Sequence, residues 1–134
     1  MVHIQDHRKY NNPITYINGD TLSIFGYTHE ELIGDAALWT ERIHPDDIEE
    51  VIEKGKALHA TRAKVTREYR FKHKDGYYLW IEDNISVGHS DDDVTRRLYG
   101  SARNISNRIE TEKASKEIQD RLELAKVAAR LGNY

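Results

Sequence analysis

The sequence contains no cysteine among its 134 residues, which excludes a disulfide framework, thiolate metal sites and cysteinyl chemistry of every kind. It also lacks an excess of positive charge. Its 20 lysines and arginines are scattered among 23 acids, giving a formal charge of −3 and a pI near 6.2. No basic face is therefore available to hold a phosphate backbone, and nucleic acid is not an expected partner. No apolar run approaches the roughly 20 residues that cross a bilayer, and no signal-peptide pattern opens the chain. The expected location is cytoplasmic without membrane contact by this fragment, any membrane anchor lying elsewhere in a longer parent. A cysteine-containing ligand set, a glycine-rich phosphate loop, a nucleophile elbow and a kinase signature are all missing, so neither a metal centre nor a catalytic site is expected.

What is present is enough chain for one domain with an appendage. Its most informative stretch runs from Glu68 to Glu82, two strand-type segments joined across Lys74-Asp75-Gly76. Asp-Gly suits a tight hairpin turn, because glycine adopts positive φ freely and aspartate tolerates it. Before the turn Val65, Arg67, Tyr69 and Phe71 alternate onto one face. After it Leu79, Ile81, Ile85 and Val87 do the same. Tyr78 and Trp80 point to the opposite face, so the sheet is expected to cover something on both sides.

Val2, Ile4 and Tyr10 mark a first strand ending in Asn11-Asn12-Pro13, followed by a strand from Ile14 to Ile17. Asp20 to Phe25 reads as one helical turn stopped by Gly26, and Thr28 with Glu31 forms a capping box on a second short helix. A longer helix is expected from Pro45 to about His59, with proline at its first position, Asp46 and Asp47 against the positive end of its dipole, and Ile48, Val51, Ile52 and Leu58 along one stripe. Gly88 to Asp93 reads as a polar loop, and Val94 to Ser106 as the last strand. From Asn107 to about Leu131 the pattern is helical. Ile118, Leu122, Ala125 and Ala129 recur at spacings of four and three, but Ser115 and Thr111 interrupt the register towards its start, so the helix is amphipathic rather than a self-sufficient coiled coil.

Five segments occur in an order that resembles a PAS domain with its C-terminal PAC segment, over roughly residues 14 to 108. They are Ile14 to Asn18; Phe25 to Gly34 followed by Trp39; Ile43-His44-Pro45-Asp46-Asp47; the hairpin; and Tyr99 to Ser106. The resemblance implies an α+β PAS fold, a five-stranded antiparallel sheet with short helices on one face. Residues 1–106 are then the PAS/PAC domain and residues 107–134 a linker helix leading towards a next module. Leu122 to Tyr134 resembles the lead-in to another such domain.

The implied function is sensory or signal relay within a multidomain bacterial protein, a sensor histidine kinase first, with a diguanylate cyclase or phosphodiesterase, or a ligand-free dimerisation spacer between tandem modules, as alternatives. Members of the family hold ligands between helix and sheet, which places a candidate pocket at Ile48, Val51, Ile52, Tyr69, Phe71, Leu79 and Ile81. Aliphatic and aromatic residues of this size equally fill a dry core. No cofactor is expected. The cysteine adduct of light-sensing flavin domains is excluded by composition. Haem ligation by His59 is disfavoured against a solvated histidine at a helix end, and His44 reads as a cap residue. Tyr78 and Trp80 are expected to face a partner protomer or a flanking element. Asn104, Ile105, Ser106, Ile118 and Leu122 are expected to carry the signal outward, within a homodimer or towards a neighbouring PAS or output domain. Asn104 stands where the family usually has aspartate, so the charge-assisted tie between strand and helix is replaced by a neutral one.

Overall fold

In the structure, a computed structural model, residues 1–6, 14–35, 37–61, 64–88 and 97–132 are described, with the side chains of 59–61 and 97 excepted. Tyr10, the Asn11-Asn12-Pro13 turn, the rest of the loop after Gly88 and the first residues expected of the last strand, Val94 to Arg96, lie outside them. The elements in chain order are β1 (Val2–Asp6), β2 (Ile14–Ile17), α1 (Thr21–Phe25), α2 (His29–Gly34), α3 (Leu38–Glu41), α4 (Ile48–Thr61), β3 (Val65–Lys72), β4 (Tyr78–Val87), β5 (Arg97–Asn104) and α5 (Ser106–Gly132). The strands form one antiparallel sheet in the order β2-β1-β5-β4-β3, with α1 to α4 inserted between β2 and β3. The chain divides into two compact units, Met1–Asn104 and Ile105–Tyr134.

The hairpin has the expected alternation. Tyr69 pairs with Ile81 and Phe71 with Leu79, all four buried on the face that the short helices cover. Lys72 pairs with Tyr78, the His73 amide donates to the Tyr77 carbonyl at 2.7 Å, and Gly76 at φ +100° closes the turn. The Lys74 amide donates to the Phe25 carbonyl at 3.1 Å, which fastens the turn to the end of α1. That end is set by Gly26, left-handed at φ +84°, whose amide returns to the Leu22 carbonyl. The Thr28 hydroxyl accepts from the Glu31 amide and the Glu31 carboxylate accepts from the Thr28 amide, so the capping box is complete.

α4 begins three residues later than the pattern of Pro45, Asp46 and Asp47 implies. Asp47 has other work. Its carboxylate accepts from the Arg70 amide at 2.8 Å, from Arg70 Nε at 2.9 Å and from Arg70 Nη2 at 2.9 Å, tying the turn before α4 to β3. His44 serves the same turn by accepting from the Asp46 amide at its Nδ1, 3.0 Å away. The hydrogen bonds from Arg70 hold the Asp47 carboxyl below its ordinary value of 3.8, against a smaller opposing effect of burial. A depressed pKa contributes stability above the unfolded value and loses it as the pH falls through the folded one. Asp47→Ala is therefore expected to cost about 1–2 kcal/mol at neutral pH, allowing for partial exposure. Urea unfolding across pH should find that cost vanishing in acid, whereas a cost independent of pH would refute the ion pair.

The buried stripe of α4 is also displaced. Val51 and Leu58 are buried and Ile48 packs partly on the core, but Ile52 is 47 % exposed and points away from the sheet. At 100° per residue the inward line through Val51 and Leu58 passes Gly55 rather than Ile52. The apolar contacts on the inner face fall into two clusters. The larger contains Phe25, Trp39, Tyr69, Phe71, Leu79, Ile81 and Ala102. The smaller contains Leu58, Ile85 and Leu98.

Candidate functional site

Charged and polar side chains occupy the inner face between those two clusters. Arg67 on β3 lies opposite Asp83 on β4, and Asp83 lies opposite Ala102 on β5. By alternation Asp83 falls on the same face as Leu79, Ile81 and Ile85, and it is only 1 % exposed. Three donors converge on it. Arg67 Nη2 donates to Oδ2 at 2.9 Å, the Tyr69 hydroxyl donates to the same oxygen at 3.2 Å, and His3 Nε2 donates to Oδ1 at 3.0 Å. Behind Tyr69, the Trp39 indole Nε1 donates to the phenol oxygen at 2.9 Å. Four elements, β1, α3, β3 and β4, are thus joined through one carboxylate.

The reach of His3 depends on β5. His3 pairs with Gly100, and its ring lies against the glycine Cα on the way to Asp83 in the next strand but one. Any Cβ at position 100 would fall on Nε2 and Cε1 of that ring. Ala102, the next inward residue of β5, is likewise small and buried. The glycine belongs here because the imidazole takes the space a side chain would occupy.

The electrostatics of the cluster follow from burial and charge. Burial by itself pushes the Asp83 carboxyl upward, but the His3 hydrogen bond and charge together with Arg67 outweigh it and leave the pKa below 3.8. The group stays ionised. Burial and the neighbouring Asp83 charge push the Tyr69 phenol well above 10, so it keeps its proton and serves as a donor. Among the described residues, two nitrogen atoms at this hub, His3 Nδ1 and Arg67 Nε, are buried without a hydrogen-bond partner.

The residues expected from the sequence are distributed as follows. Tyr69, Phe71, Leu79, Ile81 and Val51 lie together on the inner face, Ile48 borders it, and Ile52 does not belong to it. Tyr78 is 44 % exposed on the outer face with the His44 ring 4.9 Å from its own, and the Arg70 guanidinium lies 5.3 Å from the Trp80 ring centroid. Val2, Tyr16 and Tyr99 form additional exposed apolar surface away from the hairpin, a feature the sequence reading did not single out. Asn104 is exposed, Ile105 is buried and Ser106 opens α5, while Ile118 and Leu122 are exposed along that helix. His59 lies in α4, but its side chain is outside the described ones. Among the described residues no group of three or more His, Cys, Asp or Glu could hold a metal ion.

The hub residues His3, Arg67 and Asp83 were not read from the sequence as a site. A signal existed for one of them, since Asp83 interrupts the inward row Leu79, Ile81, Ile85 with a charge that only a buried partner can support.

The family model described as the PAS fold matches residues 14–102. The chain belongs to this family. A Sinorhizobium fredii protein, y4lL, is 30% identical over 96 residues, 72% of this chain, and the match spans only 11% of that protein's length. Among solved structures, a sensory box histidine kinase/response regulator from Burkholderia thailandensis is 24% identical with a TM-score of 0.73, covering 91% of this chain and 88% of that one. The N-terminal domain of a diguanylate cyclase with PAS/PAC sensor from Marinobacter aquaeolei is 23% identical with a TM-score of 0.69, covering 80% and 95%. A light-oxygen-voltage domain studied with a flavin analogue is 19% identical with a TM-score of 0.66, covering 89% and 87%. At these identities the structural likenesses establish the PAS fold. The PAS domain described here is a sensor module by family, and its hub of Arg67, Asp83 and His3 lies on the face of the sheet that the short helices enclose.

Proposed function

We propose that this PAS domain is the sensory and relay module of a multidomain bacterial signalling protein, a sensor histidine kinase, and that a guest or partner alters the setting of β5 and thereby of α5. The observation that carries the reading is the path of the chain. β5 supplies Gly100 and Ala102, the small residues beside which His3 reaches Asp83, and a single residue, Ile105, separates the end of β5 from the start of α5. A change in the hub strains β5 directly, and β5 leads without a linker into a helix of 27 residues, roughly 40 Å at 1.5 Å per residue. Such a helix is a lever suited to rotation or a change of register.

The output assignment draws support from the Burkholderia neighbour, and a diguanylate cyclase output from the Marinobacter one. With only 11% of y4lL matched, further domains in a parent protein fit the same reading. No helix among the described residues is long and apolar enough to cross a membrane, which accords with a cytoplasmic module. Flavin chemistry through a thiol adduct is closed to a chain without cysteine, and the reading needs no bound cofactor.

Self-association along the exposed Ile118 and Leu122 stripe would place two α5 helices side by side. Light scattering should find a dimer that Ile118→Glu with Leu122→Glu converts to a monomer, and a monomeric parent chain would remove this partner. The absence of native cysteine permits a single spin label at Glu117→Cys. Pulsed dipolar spectroscopy should give one inter-helix distance that shifts when the inner face is occupied. A distance unchanged under a guest that demonstrably binds would overturn the relay.

A further inference from the structure

Two turns of this chain are built alike, and each uses a histidine as a hydrogen-bond acceptor. In His44-Pro45-Asp46 the Asp46 amide donates to His44 Nδ1 at 3.0 Å, and in His73-Lys74-Asp75 the Asp75 amide donates to His73 Nδ1 at 3.0 Å. Accepting at Nδ1 requires a neutral ring with its proton on Nε2, because an imidazolium has no lone pair to offer. In both turns the same aspartate also holds a carboxylate oxygen just beyond hydrogen-bond distance of that nitrogen, Asp46 Oδ2 at 3.9 Å and Asp75 Oδ2 at 3.7 Å. Both rings lie against tyrosines at the start of the second hairpin strand. His73 stacks on Tyr77 with centroids 4.4 Å apart and planes at 12°, and His44 lies 4.9 Å from Tyr78. A backbone amide thus holds each imidazole in its neutral form, while a carboxylate and an aromatic ring stand ready for the charged one.

We propose that the two turns form a proton-driven latch, in which each imidazole takes a proton from solvent at Nδ1, gives up the amide of Asp46 or Asp75, and donates instead to Oδ2 of the same aspartate. Imidazole is the side chain suited to this near neutrality. The exchange acts on the helices that cover the inner face. His73 is 7 % exposed and packs so closely on Gly26 that a Cβ there would lie 2.7 Å from its Cε1, so movement of the ring presses on the end of α1. The same turn is fastened to α1 by the Lys74 amide on the Phe25 carbonyl and to α2 by Lys74 Nζ on Glu31 at 3.0 Å. The His44 amide donates to the Arg70 carbonyl at 2.8 Å, which clamps the turn before α4 to β3. Among the described residues, the charges facing His73 are Asp75 and the Lys74–Glu31 pair, and those facing His44 are Asp46, Asp47 and Arg70. Asp47 keeps its charge throughout, since Arg70 holds its carboxyl below 3.8. The inference rests on the sensor reading only in naming the proton as a stimulus, and the latch itself is read at the two histidines.

The test is NMR of the full nitrogen-labelled chain between about pH 8 and about pH 5, the range in which histidine changes charge. It follows the nitrogen–nitrogen couplings across the Asp75 N–H···Nδ1 His73 and Asp46 N–H···Nδ1 His44 bonds together with the imidazole nitrogen shifts. The expected result is that both couplings are present at the upper end and lost at the lower, each in step with protonation of its Nδ1, while the remaining spectrum stays that of a folded domain. In Asp75→Asn, which keeps the amide donor and removes the charge, the loss at His73 should need more acid and the loss at His44 should not move. The Gly26 amide, which shifts with the His73 ring in the parent chain, should stay fixed in His73→Gln, whose side-chain oxygen accepts at every pH. Couplings that are missing at the upper end or persist at the lower, an Asp75→Asn profile identical to the parent, or a collapse of the whole spectrum at the pH where the couplings vanish would overturn the proposal. A latch that opens while the spin-label distance on α5 stays fixed would uphold the exchange and count against the relay.

Discussion

Gly100→Ala is expected to destabilise the domain by about 3 kcal/mol, the upper end of what overpacking costs. The new methyl group falls on the His3 ring, and that ring cannot yield easily, because it is almost fully buried and its Nε2 is committed to Asp83. Elsewhere in a strand the same substitution is neutral or mildly favourable, since alanine loses less backbone entropy than glycine. Urea unfolding of Gly100→Ala in the His3→Ala background separates the two effects. There the alanine at 100 should cost less than about 1 kcal/mol, because the imidazole that it would strike has gone, and the two changes should be strongly non-additive. Equal costs in both backgrounds would show that the glycine serves the backbone and not the histidine.

Asp83→Ala is expected to cost about 3–5 kcal/mol, the loss typical when one partner of a buried ion pair is removed and the other is left charged. Arg67 and His3 would lose their common acceptor, and so would the Tyr69 hydroxyl. For a domain whose whole stability is of the order of 5–15 kcal/mol, this is the difference between a folded and a partly unfolded population. The pH dependence has a definite sign. The folded pKa of Asp83 lies below 3.8, so its contribution is complete above the unfolded value and is lost as the pH falls through the folded one. The stability gap between the parent chain and Asp83→Asn should therefore be wide at neutral pH and close in acid. A gap that widened as the pH fell would mean that the carboxyl is protonated in the folded state.

Much of the fold was legible because its determinants are local. Alternation through Val65, Tyr69, Phe71, Leu79 and Ile81 fixes the inner face whatever lies above it, and the Thr28–Glu31 box and the Gly26 stop are closed by residues within four positions of one another. The start of α4 was misjudged for the opposite reason. Asp47 is drawn to Arg70, 23 residues away, and a long-range hydrogen bond outweighs the local preference of acids for a helix start. Ile52 was placed inward because apolar residues normally face the core, whereas the position that does so here is glycine. α3, four residues long, has too few residues to produce a period. The hub was hidden because its members lie far apart in sequence. His3 and Asp83 are 80 positions apart, and neither carries a motif. The charge of Asp83 in an apolar row was visible, but its partners depend on the β1-β5-β4 pairing, which only the assembled sheet defines.

The account stands most directly on the ionisation of one carboxyl group, read by carbon-detected NMR of the Asp83 side chain as the pH is lowered. The predicted result is an ionised signal at neutral pH with no inflection until the titration passes below the ordinary aspartate value of 3.8. A signal that is already protonated at neutral pH, or that titrates above that value, would contradict the charged hub and with it the proposed route from the inner face to α5.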